Sequence, residues 1–277
     1  MKNFIVKFLT YIVSINALWK VLSPVSEGFR LLIIKRDQVN KKRKIQNLSI
    51  FSKLNELTVL NGPFKGMKYP SLKSAGSALY PKLLGSYEME LKEVMNTIDN
   101  KNYRNIIDIG CAEGYYAIGL AITNKESQIY AYDVNPKARQ LCQAMAKLNG
   151  VEDRIQLKSF CSEDDIKNFP FKNKSLIICD CEGFEKELFS EKNIDNLKSV
   201  DLLIEVHDFI DINISTNLEK LFNKTHNIKK IESIDDIKKA NLYILDQTES
   251  LSKEIKKILF EEGRPSIMQW FFCQAKT

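Results

Sequence analysis

The stretch that decides the fold is residues 106–115, which read IIDIGCAEGY. An apolar run with no polar alternation is typical of a strand covered on both faces, as in a parallel sheet. Gly110 and Gly114 allow the backbone to approach a ligand closely, and a helix that begins after them points its free N–H groups at that ligand. Because Asp108 places a negative charge beside this turn, the loop favours a cationic sulfonium ligand over a phosphate.

A second predicted strand, Gln128 to Asp133, ends in a carboxylate about twenty residues beyond the loop. Tyr115 to Thr123 reads as the helix between the two strands, which completes a βαβ unit. A carboxylate at this position accepts both hydroxyls of a nucleoside ribose. Asp133 has an alternative role as a helix N-cap or turn residue, because Asn135-Pro136 follows, and both roles can hold together. Loop and carboxylate together predict S-adenosylmethionine as the cofactor.

The alternation of strands and helices continues along the chain. Lys137 to Leu148 is predicted as a helix, and further strands are predicted over Arg154–Lys158, Ser175–Asp180 and Val200–Val206. This order predicts an α/β fold built on a doubly wound, mostly parallel sheet with right-handed crossovers. Ligands of such sheets lie beyond the carboxyl ends of the strands, where the predicted acidic residues fall.

These motifs resemble the class I S-adenosylmethionine-dependent methyltransferases, and the resemblance covers residues 80–277. DIGCAEG matches the cofactor loop of that family, although it is Gly-x-x-x-Gly and not the fuller Gly-x-Gly-x-Gly. Two more specific segments, the Asp-x-Glu-Gly turn in 180–188 and IEVHDF at 204–209, resemble the FkbM-like branch of that family. The segments that carry the resemblance are DIGCAEG at 108–114, DCEGFEKEL at 180–188, IEVHDF at 204–209, YPKLLGSYEMEL at 80–91, which is similar to a pre-core helix of related bacterial proteins, and the last antiparallel strand at 266–273. It implies a Rossmann-like methyltransferase fold with a seven-stranded sheet.

The resemblance also implies a cofactor site. Small side chains in the loop keep its backbone accessible to the methionine end, the ribose is held by a carboxylate, and the adenine lies near the turn after the third strand. Tyr87, with Glu88, is expected to close over the amino-acid tail of the cofactor, or else to be part of an ordinary helix surface. The predicted cofactor-binding residues are Asp108, Gly110, Cys111, Gly114, Asp133, Cys161, Ser162 and Tyr87.

An aliphatic hydroxyl is a poor nucleophile, so a base or a metal has to assist its methylation. His207, at the end of the fifth strand, is predicted as that base or as a group that orients the acceptor; the alternative is a half-buried strand-end residue. Asp180 and Glu182 are predicted to hydrogen-bond the acceptor or the cofactor's ammonium group. No residue is assigned as a metal ligand, yet Mg²⁺ stays open as a cofactor because these carboxylates, with Glu205, converge on two strand ends.

The predicted function is O-methylation of a sugar, a glycan precursor or a small-metabolite hydroxyl, as the FkbM-like resemblance implies. The fourth strand lacks the Asn/Asp-Pro-Pro-aromatic turn of enzymes that methylate amino groups of bases and of glutamine. The alternatives are a protein or RNA methyltransferase that uses a basic N-terminal arm, and a non-catalytic cofactor-binding scaffold subunit. Six cysteines without a Cys-x-x-Cys pair argue for reduced thiols and a cytoplasmic protein.

The positive charge belongs to the N-terminal arm. Residues 1–44 hold ten Lys and Arg against two acids, a balance of +8, whereas the whole chain carries +6, which leaves −2 for the remainder. A nucleic-acid groove across the catalytic part is therefore not expected. The predicted organisation is a basic amphipathic helical arm at 1–50, a hairpin and helix cap at 51–100, and a methyltransferase domain at 101–277.

The arm is predicted to begin with a helix that Ser23-Pro24 breaks. Its first apolar run is short for the hydrocarbon core of a bilayer. Three roles stay open, and a true membrane anchor is the least favoured of them. The arm packs on protein, either its own domain or a second subunit of a homo-oligomer, or it lies on a membrane surface with help from Lys41–Lys44, which makes the protein membrane-peripheral.

Overall fold

The structure is a computed structural model, and it describes residues 2–171 and 174–276. The chain divides into two compact units, Met1–Phe51 and Ser52–Thr277. Each unit is described by itself below. The expected three-part division at residues 50 and 100 stays a prediction.

The first unit is helical. It contains α1 (Lys2–Ser14) and α2 (Asn16–Gln46), followed by α3 (Ile50–Leu54) at the boundary between the units. The predicted break at Ser23-Pro24 is wrong, because α2 runs through Pro24. Proline in a helix interior removes one hydrogen bond and costs about 3 kcal/mol, and α2 tolerates that loss within an otherwise continuous helix. The break lies at Ile15, whose extended backbone (φ −91°, ψ 104°) separates the two helices.

No single helix in the described part of the chain is long and apolar enough to cross a membrane. The segments Val6–Ser14 and Asn16–Gln46 meet the length and composition test only together, as a pair bent by 113°.

The second unit is built on a seven-stranded sheet in its described residues. Its strands are β1 (Asn105–Ile109), β2 (Gln128–Tyr132), β3 (Ile155–Lys158), β4 (Ser175–Cys179), β5 (Val200–Val206), β6 (His226–Glu232) and β7 (Gln269–Ala275). The strand order is β3-β2-β1-β4-β5-β7-β6. The first five strands are parallel, and β7 is antiparallel to β5 and β6. This confirms the predicted fold class, a doubly wound, mostly parallel sheet with an N-terminal helical extension.

Helices connect the strands. They are α4 (Leu79–Leu84), α5 (Lys92–Lys101), α6 (Tyr115–Thr123), α7 (Pro136–Leu148), α8 (Glu163–Asn168), α9 (Glu185–Leu188), α10 (Ile194–Leu197), α11 (Ile214–Phe222), α12 (Asp236–Leu242) and α13 (Lys253–Phe260). Short 3₁₀ turns lie at Met89–Leu91, Glu152–Arg154 and Asp246–Thr248. The helix α6 has the predicted bounds. In the region 51–100, where a hairpin and a helix cap were expected, the structure shows one antiparallel bridge outside the named strands, between Thr58 and Lys68.

The central strands explain the apolar runs in the sequence. Every residue of β4 and β5 is buried, and neighbouring residues such as Ile107 and Ile177 pair in register. Helices cover both faces of these strands, so neither face needs polar side chains. The loops after β1, β2, β4 and β5 consequently emerge at one edge of the sheet, and the candidate site lies there.

Candidate functional site

The loop after β1 is shaped by contact with the turn after β4. Gly110 has φ +85°, and a Cβ atom placed on it would lie 1.7 Å from the carbonyl oxygen of Asp180, so only glycine fits there. The backbone N–H groups of Gly110 and Cys111 both donate to the carbonyl oxygen of Tyr132, each at 2.9 Å. The loop is thereby fixed against the ends of two neighbouring strands.

Asp108 is a buried carboxyl whose Oδ2 atom has no hydrogen-bond partner in the described part of the chain. Burial raises the pKa of Asp108 to about 7. The side chain lines a cavity of about 550 Å³ at the edge of the sheet. An unmatched carboxyl in such a place is stabilised by a cation, so the residue fits the charged methionine end of S-adenosylmethionine.

Asp133 joins the loops after β1 and β2. Its Oδ2 accepts a hydrogen bond from the N–H of Ala112 at 2.9 Å, and its Oδ1 accepts one from the N–H of Asn135 at 2.7 Å. Asp133 therefore does stabilise the turn. It is not the N-cap of α7, because that position is Asn135, whose side chain accepts a hydrogen bond from the N–H of Lys137. Each carboxylate oxygen has a second lone pair, so the half-buried group can still accept ribose hydroxyls.

The structure separates the two residues that were predicted to lie near the adenine. Cys161 is buried and lines the cavity. Ser162 does not line it, because its hydroxyl is used in a capping box with Asp165 at the start of α8. Phe160, which the sequence analysis missed, lines the cavity with half of its surface exposed. An exposed aromatic side chain just after a parallel strand was the available signal.

Gly114 also lies outside the cavity lining. A Cβ atom on it would come within 2.7 Å of the Sγ atom of Cys142 and 2.9 Å of Ile118. Its φ of +97° ends the loop, and its small size lets α6 pack against α7. The structure therefore places this glycine in packing and not at the ligand surface.

Two segments before β1 border the cavity. Tyr87 lines it, and its ring makes an edge contact with Tyr115 at a centroid distance of 5.1 Å. The ion pair of Lys82 and Glu113, both buried, joins α4 to the cofactor loop at 2.6 Å. Glu113 also accepts from the Ser74 hydroxyl and the Ala75 N–H, which holds the segment 74–77 at the rim.

His207 is buried at the end of β5 among carboxylates. Its Nδ1 lies 2.7 Å from Glu185 Oε1, and its Nε2 lies 3.4 Å from Asp180 Oδ1. Burial disfavours the charged ring, but the hydrogen bonds to Asp180 and Glu185 outweigh burial and raise the pKa of His207 to about 11. The ring is a cation at neutral pH and cannot take a proton. The geometry thus favours the orienting role over the base role for His207.

Asp180 presents a carboxylate to the cavity. Burial opposes its charge, yet hydrogen bonds with His207 and Glu205 lower the pKa of Asp180 below its ordinary value. Burial raises the pKa of the neighbouring Glu205 to about 9, so Asp180 is the member of this pair that stays ionised. Glu182, two residues on, has φ +55° and a side chain that is 79% exposed, with its nearest oxygen 3.8 Å from His207.

Arg264 is the main feature that the sequence analysis did not find. It lies between α13 and β7, and its guanidinium group donates to Glu88, Glu205 and Glu262. Glu88 also accepts from the Tyr116 hydroxyl, and burial raises the pKa of Glu88 to about 7. The segment Glu262–Pro265 lines the cavity and ties its far wall to the end of β5.

Nine of the eleven predicted site residues line this single cavity, and Gly114 and Ser162 do not. The nine are Tyr87, Asp108, Gly110, Cys111, Asp133, Cys161, Asp180, Glu182 and His207.

Ligand atoms of Asp180, Glu205 and His207 lie within 4.8 Å of one another, close enough to share one ion. Arg264 also donates to Glu205, so a metal ion would share that carboxyl group with a guanidinium group. Mg²⁺ as a cofactor therefore stays a prediction. The second group of close side chains, Cys179, Cys181 and Glu185, offers two thiols, which are poor ligands for a hard cation.

Comparison with known proteins finds a family model that matches part of the chain. Residues 92–181, about a third of the chain, match the family model "Methyltransferase small domain". The match supports a methyltransferase that uses S-adenosylmethionine, in agreement with the cofactor predicted from the loop.

One curated relative is the release factor glutamine methyltransferase of Dictyoglomus turgidum, which is 33% identical over 69 residues. That match spans 25% of this chain and about a quarter (24%) of the relative's length.

Among solved structures, the chain is similar to an O-methyltransferase from Thermotoga maritima (14% identity, TM-score 0.44, 69% of this chain and 66% of that chain). It is also similar to an O-methyltransferase from Bacillus cereus in complex with SAH (11% identity, TM-score 0.44, 65% and 78%). With TM-scores below 0.5, these two similarities carry no argument about the acceptor.

Proposed function

We propose that the protein transfers a methyl group from S-adenosylmethionine to a hydroxyl of a sugar, a glycan precursor or another small metabolite. The observation that supports this most directly is the Asp180 carboxylate. Its pKa is held below the ordinary value, it lines the cavity, and its Oδ1 atom lies 3.4 Å from His207 Nε2. The FkbM-like motifs at 180–188 and 204–209 favour a sugar-type acceptor.

The cofactor is proposed to lie along the loops after β1, β2 and β3. The unmatched Oδ2 of Asp108 takes the cofactor's ammonium group, and Asp133 takes the ribose hydroxyls. Phe160 and Cys161 border the space for the base. When bound, the cofactor supplies an electrophilic methyl group on a positively charged sulfur.

Asp180 is proposed to act on the acceptor. As the new C–O bond forms, the hydroxyl loses its proton, and the Asp180 carboxylate accepts that proton and releases it to water. His207 takes no proton in this step. Its charged ring holds the Oδ1 atom of Asp180, and alignment of acceptor and methyl group is the larger part of such catalysis.

The first test is cofactor binding. Calorimetry with S-adenosylmethionine is expected to show one site that Asp133→Ala weakens at least tenfold, because two ribose hydrogen bonds are lost at about 1 kcal/mol each. Asp153→Ala, an exposed acid on a 3₁₀ turn, is the matched control and leaves the affinity unchanged. Equal affinities for the protein and Asp133→Ala would refute the proposed ribose contact.

The second test is transfer. Incubation with a labelled methyl donor and a panel of sugar and small-molecule hydroxyl acceptors is expected to give a base-stable ether product. A transfer product formed only on protein, with no activity on hydroxyl acceptors, contradicts the proposed acceptor class.

A protein acceptor is the second candidate, because the curated relative over 69 residues methylates a glutamine by its printed name. The turn Asp180-Cys181-Glu182-Gly183 is unlike the Asn/Asp-Pro-Pro-aromatic turn used for amide nitrogen, and this favours oxygen. The two are separated by offering a glutamine-containing peptide beside the hydroxyl panel. A scaffold without catalysis predicts instead that Asp180→Asn keeps biological function while the cofactor still binds.

A further inference from the structure

The helix α2 carries an apolar stripe that its own unit leaves exposed. Leu18, Leu22, Val25, Phe29 and Leu32 follow one another at intervals of four, three, four and three residues, so they share one helical face. All five are exposed, Phe29 at 63% and Leu32 at 62%. An apolar face that the helical unit itself does not cover marks a contact with another surface.

Aromatic side chains stand near the start of the stripe. Trp19 on α2 and Tyr11 on α1 are both exposed. Tryptophan and tyrosine are enriched where hydrocarbon meets water, because their rings are apolar and their N–H and O–H groups are polar.

A basic segment follows the stripe. Lys42, Arg43 and Lys44 are exposed at the end of α2, and Lys35 and Arg36 are exposed one to two turns earlier. Residues 1–44 carry a balance of +8. Lys41 pairs with Asp37 at 2.8 Å and is left out of this segment.

We propose that the stripe and the basic segment together dock the protein on an anionic lipid bilayer, with α2 lying in the plane of the interface. The apolar face enters the boundary between headgroups and acyl chains, and the basic side chains contact phosphate groups. The bent pair α1 and α2 contains no single helix suited to cross the bilayer, which agrees with a helix that lies in the interface.

Charge favours an anionic lipid surface over a second copy of the chain as the partner of the stripe. Pairing of two arms through the same stripe brings together two segments of +8, which repel each other. An anionic surface attracts that charge, at roughly fivefold in affinity per basic side chain near the surface. The stripe and the charge therefore favour lipid over self-association.

The experiment uses the full chain in a vesicle flotation assay. Vesicles of phosphatidylcholine alone are compared with vesicles of phosphatidylcholine and phosphatidylglycerol, each across a series of KCl concentrations. The protein is expected to float with the anionic vesicles only, and the bound fraction is expected to fall as salt screens the charges.

Two variants separate the contributions of the basic segment and of the apolar stripe to vesicle binding. The triple substitution Lys42→Gln, Arg43→Gln, Lys44→Gln is expected to weaken binding to anionic vesicles about a hundredfold. The triple Val25→Gln, Phe29→Gln, Leu32→Gln keeps helix-forming residues, removes the apolar face and is expected to abolish binding. Circular dichroism and cofactor affinity, unchanged in both, show that the chain is folded.

Matched controls come from the other unit. Lys125→Gln, Lys137→Gln, Lys147→Gln removes the same charge, and Ile212→Gln, Ile237→Gln, Ile244→Gln removes exposed apolar side chains. Both controls are expected to bind as the unaltered protein does. The proposal is overturned if the protein ignores both vesicle types, if the controls lose binding equally, if binding resists salt and the charge variant, or if the stripe forms a lipid-free dimer that binds no vesicle. The assay needs no methyl transfer, so its outcome is independent of the proposed activity.

Discussion

The two ends of the cavity treat their carboxylates in opposite ways. At the ends of β4 and β5, Asp180 and Glu205 face two cations of the chain itself, His207 and Arg264. At the end of β1, the Oδ2 of Asp108 has no hydrogen-bond partner in the described residues. We therefore propose that the protein itself positions the carboxyl groups of Asp180 and Glu205, whereas the Oδ2 atom of Asp108 is matched by a cationic ligand.

The largest expected effect is on the rate of methyl transfer, at the Asp180 end of the cavity. Asp180→Asn keeps the shape but cannot accept a proton, so methyl transfer is expected to fall roughly 10²- to 10⁴-fold. Cofactor affinity, measured by calorimetry, should change little. Asp164→Asn, an exposed acid, serves as the control. A rate within threefold of the unaltered protein shows that Asp180 is not the proton acceptor.

The next largest effect is expected for the substitution His207→Gln. It leaves Glu185 and Asp180 without their buried partner, and the free energy of unfolding at pH 7 is expected to drop by about 3 kcal/mol. The pKa of His207 rises on folding from 6.5 to about 11, so its stabilisation is complete below pH 6.5 and is lost as the pH rises toward 11. Denaturation of both proteins from pH 6 to pH 10 should therefore show a gap that narrows.

His226→Gln is the matched control for that experiment. His226 is buried, it hydrogen-bonds the carbonyl oxygen of Val200 at 2.9 Å, and burial lowers its pKa. Its contribution is present at high pH and is lost as the pH falls. A gap for His207→Gln that widens with rising pH contradicts the charged ring.

At the other end of the cavity, Asp108→Asn is expected to lower the affinity for the cofactor but to raise the stability of the cofactor-free protein. Cofactor affinity falls tenfold to a hundredfold, about 1.5 to 3 kcal/mol, because a charge-assisted hydrogen bond is lost. The cofactor-free protein becomes more stable at pH 8, because a buried charge is removed.

The sign follows from the pKa of Asp108, which is raised from 3.8 to about 7 on folding. Protonated Asp108 favours the folded state below pH 3.8, and this stabilisation is lost as the pH rises through 7. Asparagine carries no charge at any of these pH values, so the variant does not lose stability in this way. Thermal unfolding at pH 5 and pH 8, with and without cofactor, measures both effects. Losses of both affinity and stability at pH 8 would show that the chain itself stabilises the charged Asp108 side chain by more than its backbone hydrogen bond from Ala117.

The smallest expected effect tests the correction at the third strand. Ser162→Ala removes the cap of α8 and is expected to cost about 1 kcal/mol of unfolding free energy without a change in cofactor affinity. Cys161→Leu, one residue earlier, narrows the cavity and is expected to lower the affinity. A reduced affinity for Ser162→Ala would return this hydroxyl to the ligand surface.

Local pattern was sufficient for the fold and for the strand-end residues. The apolar runs of β1, β4 and β5, with a glycine or an acid after each, were visible because burial and turn geometry act over a few residues. Parallel pairing then brought Asp108, Asp133, Asp180 and His207 to one edge without further information.

The parts that sequence did not reveal depend on contacts between distant residues. Arg264 meets Glu88 across 176 positions, and Lys82 meets Glu113 across 31. No periodicity encodes such pairs. The charged state of His207 was hidden for the same reason, because it depends on Glu185 and Asp180 folding against it. Gly114 and Ser162 do not line the cavity, because the glycine packs against Cys142 and the serine caps α8, and a sequence pattern does not distinguish such roles from ligand binding.

The close contact of Gly110 with the Asp180 carbonyl has a consequence for engineering. The loop after β1 and the turn after β4 meet at one backbone contact, where a Cβ atom on Gly110 would lie 1.7 Å from the Asp180 carbonyl oxygen. Neither segment can be lengthened or re-angled without moving the other. Directed evolution toward new acceptors will therefore have to proceed through side chains around the rim, such as Phe209 and Met268, while the junction itself stays invariant.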